Sequence, residues 1–172
     1  MAAGVVKRKQ ERTVSRIRMT AVEKGKAFGS ASTLVAQMGI LLGMVVSNQS
    51  QPALVVASAA SAISGSFGDA FSMYISETTA KTQEPLVPAV SVLITKLVIG
   101  AVYVGLFFSV SNRAVLIPVA TFLTLVLLYY LSIMAYPDDN TKINTTFLQY
   151  TALTTCVVFV TSSFGFMIKK SF

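Results

Sequence analysis

The chain has 172 residues, of which 53% are hydrophobic and 12% charged, with a mean hydropathy of +0.68 and a formal net charge of +7. That composition describes an integral membrane protein rather than a water-soluble domain. With no histidine and a single cysteine, Cys156, it excludes a disulfide framework, a zinc cluster and Cys-His or Ser-His catalysis, and no cofactor motif marks it as an enzyme.

Residues 1–27 form a basic arm in which Lys7, Arg8, Lys9, Arg12, Arg16, Arg18, Lys24 and Lys26 stand against Glu11 and Glu23. No aromatic residue interleaves these cations. The arm therefore lacks the stacking groups of a nucleic-acid surface, and no nucleic-acid partner is expected. It reads as a cytoplasmic juxtamembrane segment beside anionic headgroups. Val14, Ile17 and Ala21 recur at helical spacing, which suits a weak amphipathic helix lying on the bilayer. A long charged stretch ahead of the apolar run, with no small-residue cleavage site after it, reads against a cleavable signal peptide.

Five apolar stretches follow, at 28–47, 53–76, 86–108, 114–135 and 146–168, and residues 169–172 form a tail. Each stretch is near the ~20 residues that a helix needs to cross a ~30 Å hydrocarbon core, and the connections are too short to hold a second folded domain. The predicted fold is all-α integral membrane with five transmembrane helices, its first partner the lipid bilayer. An odd number of spans puts the termini on opposite sides. With the arm inside, the cytoplasmic segments carry its eight cations plus Lys81 and Lys142, against Arg113, Lys169 and Lys170 on the far side. The positive-inside rule selects a cytoplasmic N-terminus and a C-terminus across the membrane. Of the sequons at Asn48 and Asn144, only Asn48 then falls on the far side. It lies too near the bilayer to be an acceptor, so both are read as chance occurrences.

Within the first span, Gly39-x-x-x-Gly43 suits either a dimer interface or a tight crossing inside one chain. The second span is crowded with small residues from Ala57 through Gly65 to Ala70, which predicts close backbone approach and a central place in the bundle. Asp69 in that span and Lys96 in the third are equally far, to within a residue, from Gln83 in the connecting turn. Antiparallel helices would hold them at one depth, either as an ion pair or as a carboxylate gated by an ammonium. On a helix Asp69, Ser72, Met73, Ser76 and Glu77 fall at i, i+3, i+4, i+7 and i+8, gathering two carboxylates, two hydroxyls and a thioether on one side. Such a stripe suits Fe(II) or Mn(II), with Met38, Met44 and Met134 as further thioethers or as plain core filler.

The run Asp69-Ala70-Phe71-Ser72-Met73 followed by Ser76-Glu77 resembles the second-helix motif of the vacuolar iron transporter family, and Ser32-Thr33-Leu34-Val35-Ala36-Gln37-Met38-Gly39 is similar to that family's first helix. The resemblance implies a five-helix homodimer that moves Fe(II) or Mn(II) out of the cytoplasm as a transported substrate, with no resident cofactor, in a vacuolar or other endomembrane. Asp69, Ser72, Met73 and Glu77 would contact the metal. Ser76, Lys96 and Met38 would border the path, and Gly39, Gly43 and Gly65 would pack helices or the dimer. Two departures stand out. Phe28-Gly29 occupies the place of the family's first-helix Asp-Gly, and only Thr78 to Pro85 stands where many members carry a glutamate-rich cytoplasmic domain. The alternative is a membrane protein that keeps this fold for assembly without transport.

The expected topology has a direct check. Single cysteines at Ser50 and Thr82, in a Cys156→Ser background, should be labelled by an impermeant thiol reagent from opposite sides of the membrane. Labelling from the same side would remove the second span.

Overall fold

The computed structural model describes residues 2–136 and 140–171, and of residues 2–20 and 171 the backbone course alone. The chain forms five helices: α1 (Ala2–Val46), α2 (Gln51–Thr79), α3 (Leu86–Ser109), α4 (Arg113–Ala135) and α5 (Asn140–Ser171). There is no strand among the described residues. All five helices contain a segment long and apolar enough to cross a membrane, consistent with a multi-pass integral membrane protein.

The first and last elements are longer than the apolar runs that mark them. The basic arm is not a separate segment, because α1 continues unbroken through it for 45 residues, or ~68 Å at 1.5 Å per residue. The tight turns have definite caps. After α1 the chain enters the left-handed region at Asn48 (φ 58°). There the Gln49 N–H donates to the Met44 carbonyl (2.9 Å) and the Asn48 N–H to that of Val45 (3.1 Å). The same paired closure ends α2 at Lys81 (φ 53°), with bonds from Thr82 to Glu77 and from Lys81 to Thr78. This double bond satisfies carbonyls that the helix end leaves open. Asn48 also accepts from Arg113 (3.1 Å), so its side chain belongs to the turn.

The bundle is organised around α1. That helix meets all four others, whereas α2 packs only on α1 and α3, and α5 only on α1 and α4. No residue from Gly29 to Ser47 is exposed. The central place expected for α2 thus belongs to α1. Helix α2 is peripheral, and Ala60, Ser64 and Gly68 face outward. In chain order α2, α3, α4 and α5 form an arc around α1 that stays open between α2 and α5. The opening is a groove of about 480 Å³ floored by Gly39 and Gly43 and walled by Ala57 and Ser61 on one side and Thr161 and Phe164 on the other.

Close approach, as expected, replaces bulky interdigitation, but within the chain. A Cβ on Gly39 or Gly43 would rest against Thr161, and one on Gly165 would lie 2.5 Å from the Gly43 carbonyl oxygen. The Gly39/Gly43 pair is therefore a crossing of α1 with α5. Larger side chains, among them Leu34, Leu41, Tyr103, Phe107, Leu116 and Leu128, fill the α1, α3 and α4 junction. Two buried polar clasps tie helices together. Ser58 Oγ donates to Gln37 Oε1 (2.5 Å) while Gln37 Nε2 donates to the Ser58 carbonyl (3.3 Å), and the Tyr103 and Thr124 hydroxyls lie 2.6 Å apart. Fully partnered clasps of this kind fix neighbours in a medium where apolar contact alone discriminates little.

The tightest α2 to α3 contact gives a prediction. A Cβ on Gly100 would lie 2.6 Å from that of Ala62, so Gly100→Ala must push the helices apart and should destabilise the bundle by ~1–3 kcal/mol. Thermal unfolding in detergent should show this loss, and the swap Ala62→Gly with Gly100→Ala should recover most of it.

Candidate functional site

The polar residues of α1, α2 and α3 converge at the end of the bundle where the basic arm begins. Asp69 Oδ2 accepts from Lys96 Nζ (2.5 Å) and from Ser32 Oγ (3.0 Å). The Lys96 side chain is 7% exposed and that of Asp69 32%, so the ammonium is enclosed and the carboxylate reaches the bundle surface. The depth match expected from sequence is realised as an ion pair, with a third helix contributing a hydroxyl.

Small residues make room for the lysine. A Cβ on Gly29 of α1 would come within 3.4 Å of Lys96 Cγ and within 3.0 Å of the Val92 carbonyl oxygen, and one on Gly65 of α2 within 3.4 Å of Lys96 Nζ. The four-carbon stem runs through a slot that two glycines leave open, which lets a buried position hold a long cation. The resulting role of Gly65 is local: it shapes the seat of Lys96. The neighbouring hydroxyls turn inward on their own helices, Thr33 Oγ1 donating to the Gly29 carbonyl (2.6 Å) and Ser66 to that of Ala62.

Two turns along α2, Glu77 is 5% exposed and pairs with Lys24 of α1. Met73, 8% exposed, lies between the two acids and packs with Ala89 and Val92 of α3. Asp69, Met73 and Glu77 thus form one inward line at i, i+4 and i+8. Ser72 and Ser76 stand apart from it, exposed on the outer side of α2. An α-helix turns 100° per residue, so a five-residue stripe is wider than the single contact face that α2 presents to its neighbours. Met38 is buried on the far side of α1, lining a cavity of about 140 Å³ with Thr124, Thr151 and Thr154. Met44 packs at the edge of the apolar core.

Two participants, Ser32 as a partner of Asp69 and Lys24 as the counter-ion of Glu77, had no assigned role from sequence. The signal was present. Both Ser32–Asp69 and Lys24–Glu77 are centred on Ser50–Gln51, the turn between α1 and α2, so the antiparallel register that pairs one pairs the other. Phe28 falls midway, opposite Met73, and is 44% exposed. It is therefore Ser32, one turn deeper, that α1 offers to Asp69.

The arrangement can hold cations at two points, and lysines hold both points here. No group of three or more His, Cys, Asp or Glu residues comes together among the described residues. Comparison with known protein families, curated proteins and solved structures finds no match to this chain.

Breaking the enclosed pair should be costly and asymmetric. Asp69→Leu strands an ammonium that has almost no exposure and should cost ~3–5 kcal/mol, whereas the double variant Asp69→Leu with Lys96→Met should recover much of that loss. Lys96→Met alone should cost less, since the carboxylate left behind is partly open. Equal stability of all three variants would remove the pair from any structural role.

Proposed function

We propose that the chain is a multi-pass membrane transporter, resembling the vacuolar iron transporter family, that carries Fe(II) or Mn(II) from the side bearing the basic arm to the other. The observation that carries this reading is the meeting of Ser32 and Asp69. These residues lie in the two separate stretches that resemble the family's first and second helices, and nothing in composition requires those stretches to touch at their polar positions. Glu77 receives the ion near the cytoplasmic end, Met73 offers a thioether one turn on, and Asp69 with Ser32 forms the deeper oxygen site. Carboxylate and hydroxyl oxygens suit these ions, and a thioether adds a softer contact.

The lysines set the terms of transport. A divalent ion at Asp69 must displace Lys96, and one at Glu77 must displace Lys24. Two unit charges 4 Å apart interact by about 4 kcal/mol at the effective dielectric of a protein surface, so a doubly charged ion can outcompete an ammonium at either carboxylate. Lys24 yields first, because its side chain is 58% exposed and water offsets its release. A second copy of the chain would pack on the outward side of α2, where the small residues Ala60, Ser64 and Gly68 are exposed.

The same ion pairs favour a second reading, in which the carboxylates are closed permanently and the protein is a membrane scaffold that retains the fold. Uptake of Mn(II) into proteoliposomes separates the two. Transport predicts saturable uptake that Asp69→Asn and Glu77→Gln each reduce at least tenfold, and tighter Mn(II) binding in Phe28→Asp, which adds a carboxylate opposite Met73. A scaffold gives no uptake above protein-free vesicles in any of these forms.

A further inference from the structure

Threonine is concentrated where α4 and α5 face each other. Thr121 and Thr124 of α4 and Thr151, Thr154 and Thr155 of α5 line the cavity of about 140 Å³ to which α1 contributes Met38, and leucine and valine complete its wall. Thr124 and Thr151 each stand eleven residues from the helix end at the α4–α5 connection, Ala135 in one case and Asn140 in the other. At 1.5 Å per residue that is ~16 Å, about half of a ~30 Å hydrocarbon core, so the cavity lies near the middle of the spans.

A threonine in an apolar helix commonly gives its hydroxyl proton to the carbonyl one turn back. Thr145 (2.9 Å), Thr154 (2.8 Å), Thr155 (2.8 Å) and Thr161 (3.0 Å) of α5 all do so. Thr151 does not. Its Oγ1 is enclosed and, among the described residues, is the one buried side-chain nitrogen or oxygen without a hydrogen-bond partner. The hydroxyls around it have already spent their protons. Thr124 donates to the Ala120 carbonyl (2.7 Å) and Thr154 to that of Tyr150, so each keeps lone pairs and has no proton to offer. The group that answers this set must accept from Thr151 and donate to its neighbours. Water does both. No charged residue lines the cavity, which leaves a metal ion without a counter-charge, and a lipid chain would leave the Thr151 hydroxyl unanswered. The volume admits up to about four waters at ~30 Å³ each.

We propose that this cavity binds ordered water, which accepts from Thr151 Oγ1 and donates to Thr124 Oγ1. The α5 bonds named above are all internal to that helix, so this bridge ties it by polar contact to its neighbour. Thr124 already meets the Tyr103 hydroxyl of α3. The bridge therefore extends one hydrogen-bonded clasp across α3, α4 and α5 at the middle of the membrane, where a shared water substitutes for a direct bond. The site is separate from the Asp69 and Glu77 ion pairs and does not rest on transport.

Water-edited solid-state NMR of the full chain in lipid bilayers, with carbon-13 in threonine alone, tests the assignment. The Thr151 signal is identified by its loss in Thr151→Ser, a change that keeps the hydroxyl. In the parent chain that signal should receive magnetisation from water at short mixing times, as Thr82 in the α2–α3 turn does. Thr121→Leu, which fills the cavity and leaves Thr124 and Thr151 in place, should abolish the transfer. Three results overturn the proposal: no transfer from water to Thr151 in the parent chain, transfer from acyl-chain protons in its place, or transfer from water that persists in a folded Thr121→Leu. Should that variant not fold, the parent measurement decides alone.

Discussion

The Lys96–Asp69 pair is the constraint around which the α1, α2 and α3 half of the bundle is arranged. An ammonium that is 7% exposed needs a counter-charge and needs space, and each demand fixes a helix. The counter-charge sets the register of α2 against α3. The space requires that α1 and α2 pass the lysine with glycines, Gly29 and Gly65, which draws all three backbones together at one level. Once α1 is that close, Ser32 falls on Asp69 and the next polar pair toward the arm, Lys24–Glu77, follows from the same register. A buried pair contributes little net stability compared with a well-packed apolar substitute, but it discriminates strongly between registers, because any slip leaves two charges unanswered.

Much of this was legible in the sequence. The five helices follow from apolar length, and the facing of Asp69 and Lys96 from their equal distance to Gln83. The identity of the central helix did not follow, for a physical reason. Small residues report that a backbone comes close to something, but one tight contact satisfies them. In α2 the buried set Ser58, Ala62 and Ser66 is used against α1 and α3, while Ala60, Ser64 and Gly68 on the other side are exposed. The better marker was the amide of Gln37. A serine or threonine hydroxyl can bond a carbonyl of its own helix, as Thr33 does with Gly29, whereas the buried Gln37 amide finds its partner on another helix, at Ser58. Likewise the five-member stripe on α2 resolved into a three-member line, since spacing places residues on a helix surface without saying how wide a strip its neighbours cover.

The two ends of the bundle are held by different chemistry. Away from the arm, Gln51 donates to the carbonyls of Phe107 and Val110, and Arg113 binds Asn48 and the Gln49 carbonyl. Backbone carbonyls at helix ends are fixed acceptors, so these clasps tie turn to turn with little freedom. Toward the arm the ties are lysine ammonium groups on carboxylates, carried on long, flexible stems. Lys24 and Lys96 tie α2 to α1 and α3 toward the arm, Gln51 ties its other end to the end of α3, and the Gln37–Ser58 clasp holds α1 to α2 between them, so the register of α2 is fixed by a different kind of bond at each level.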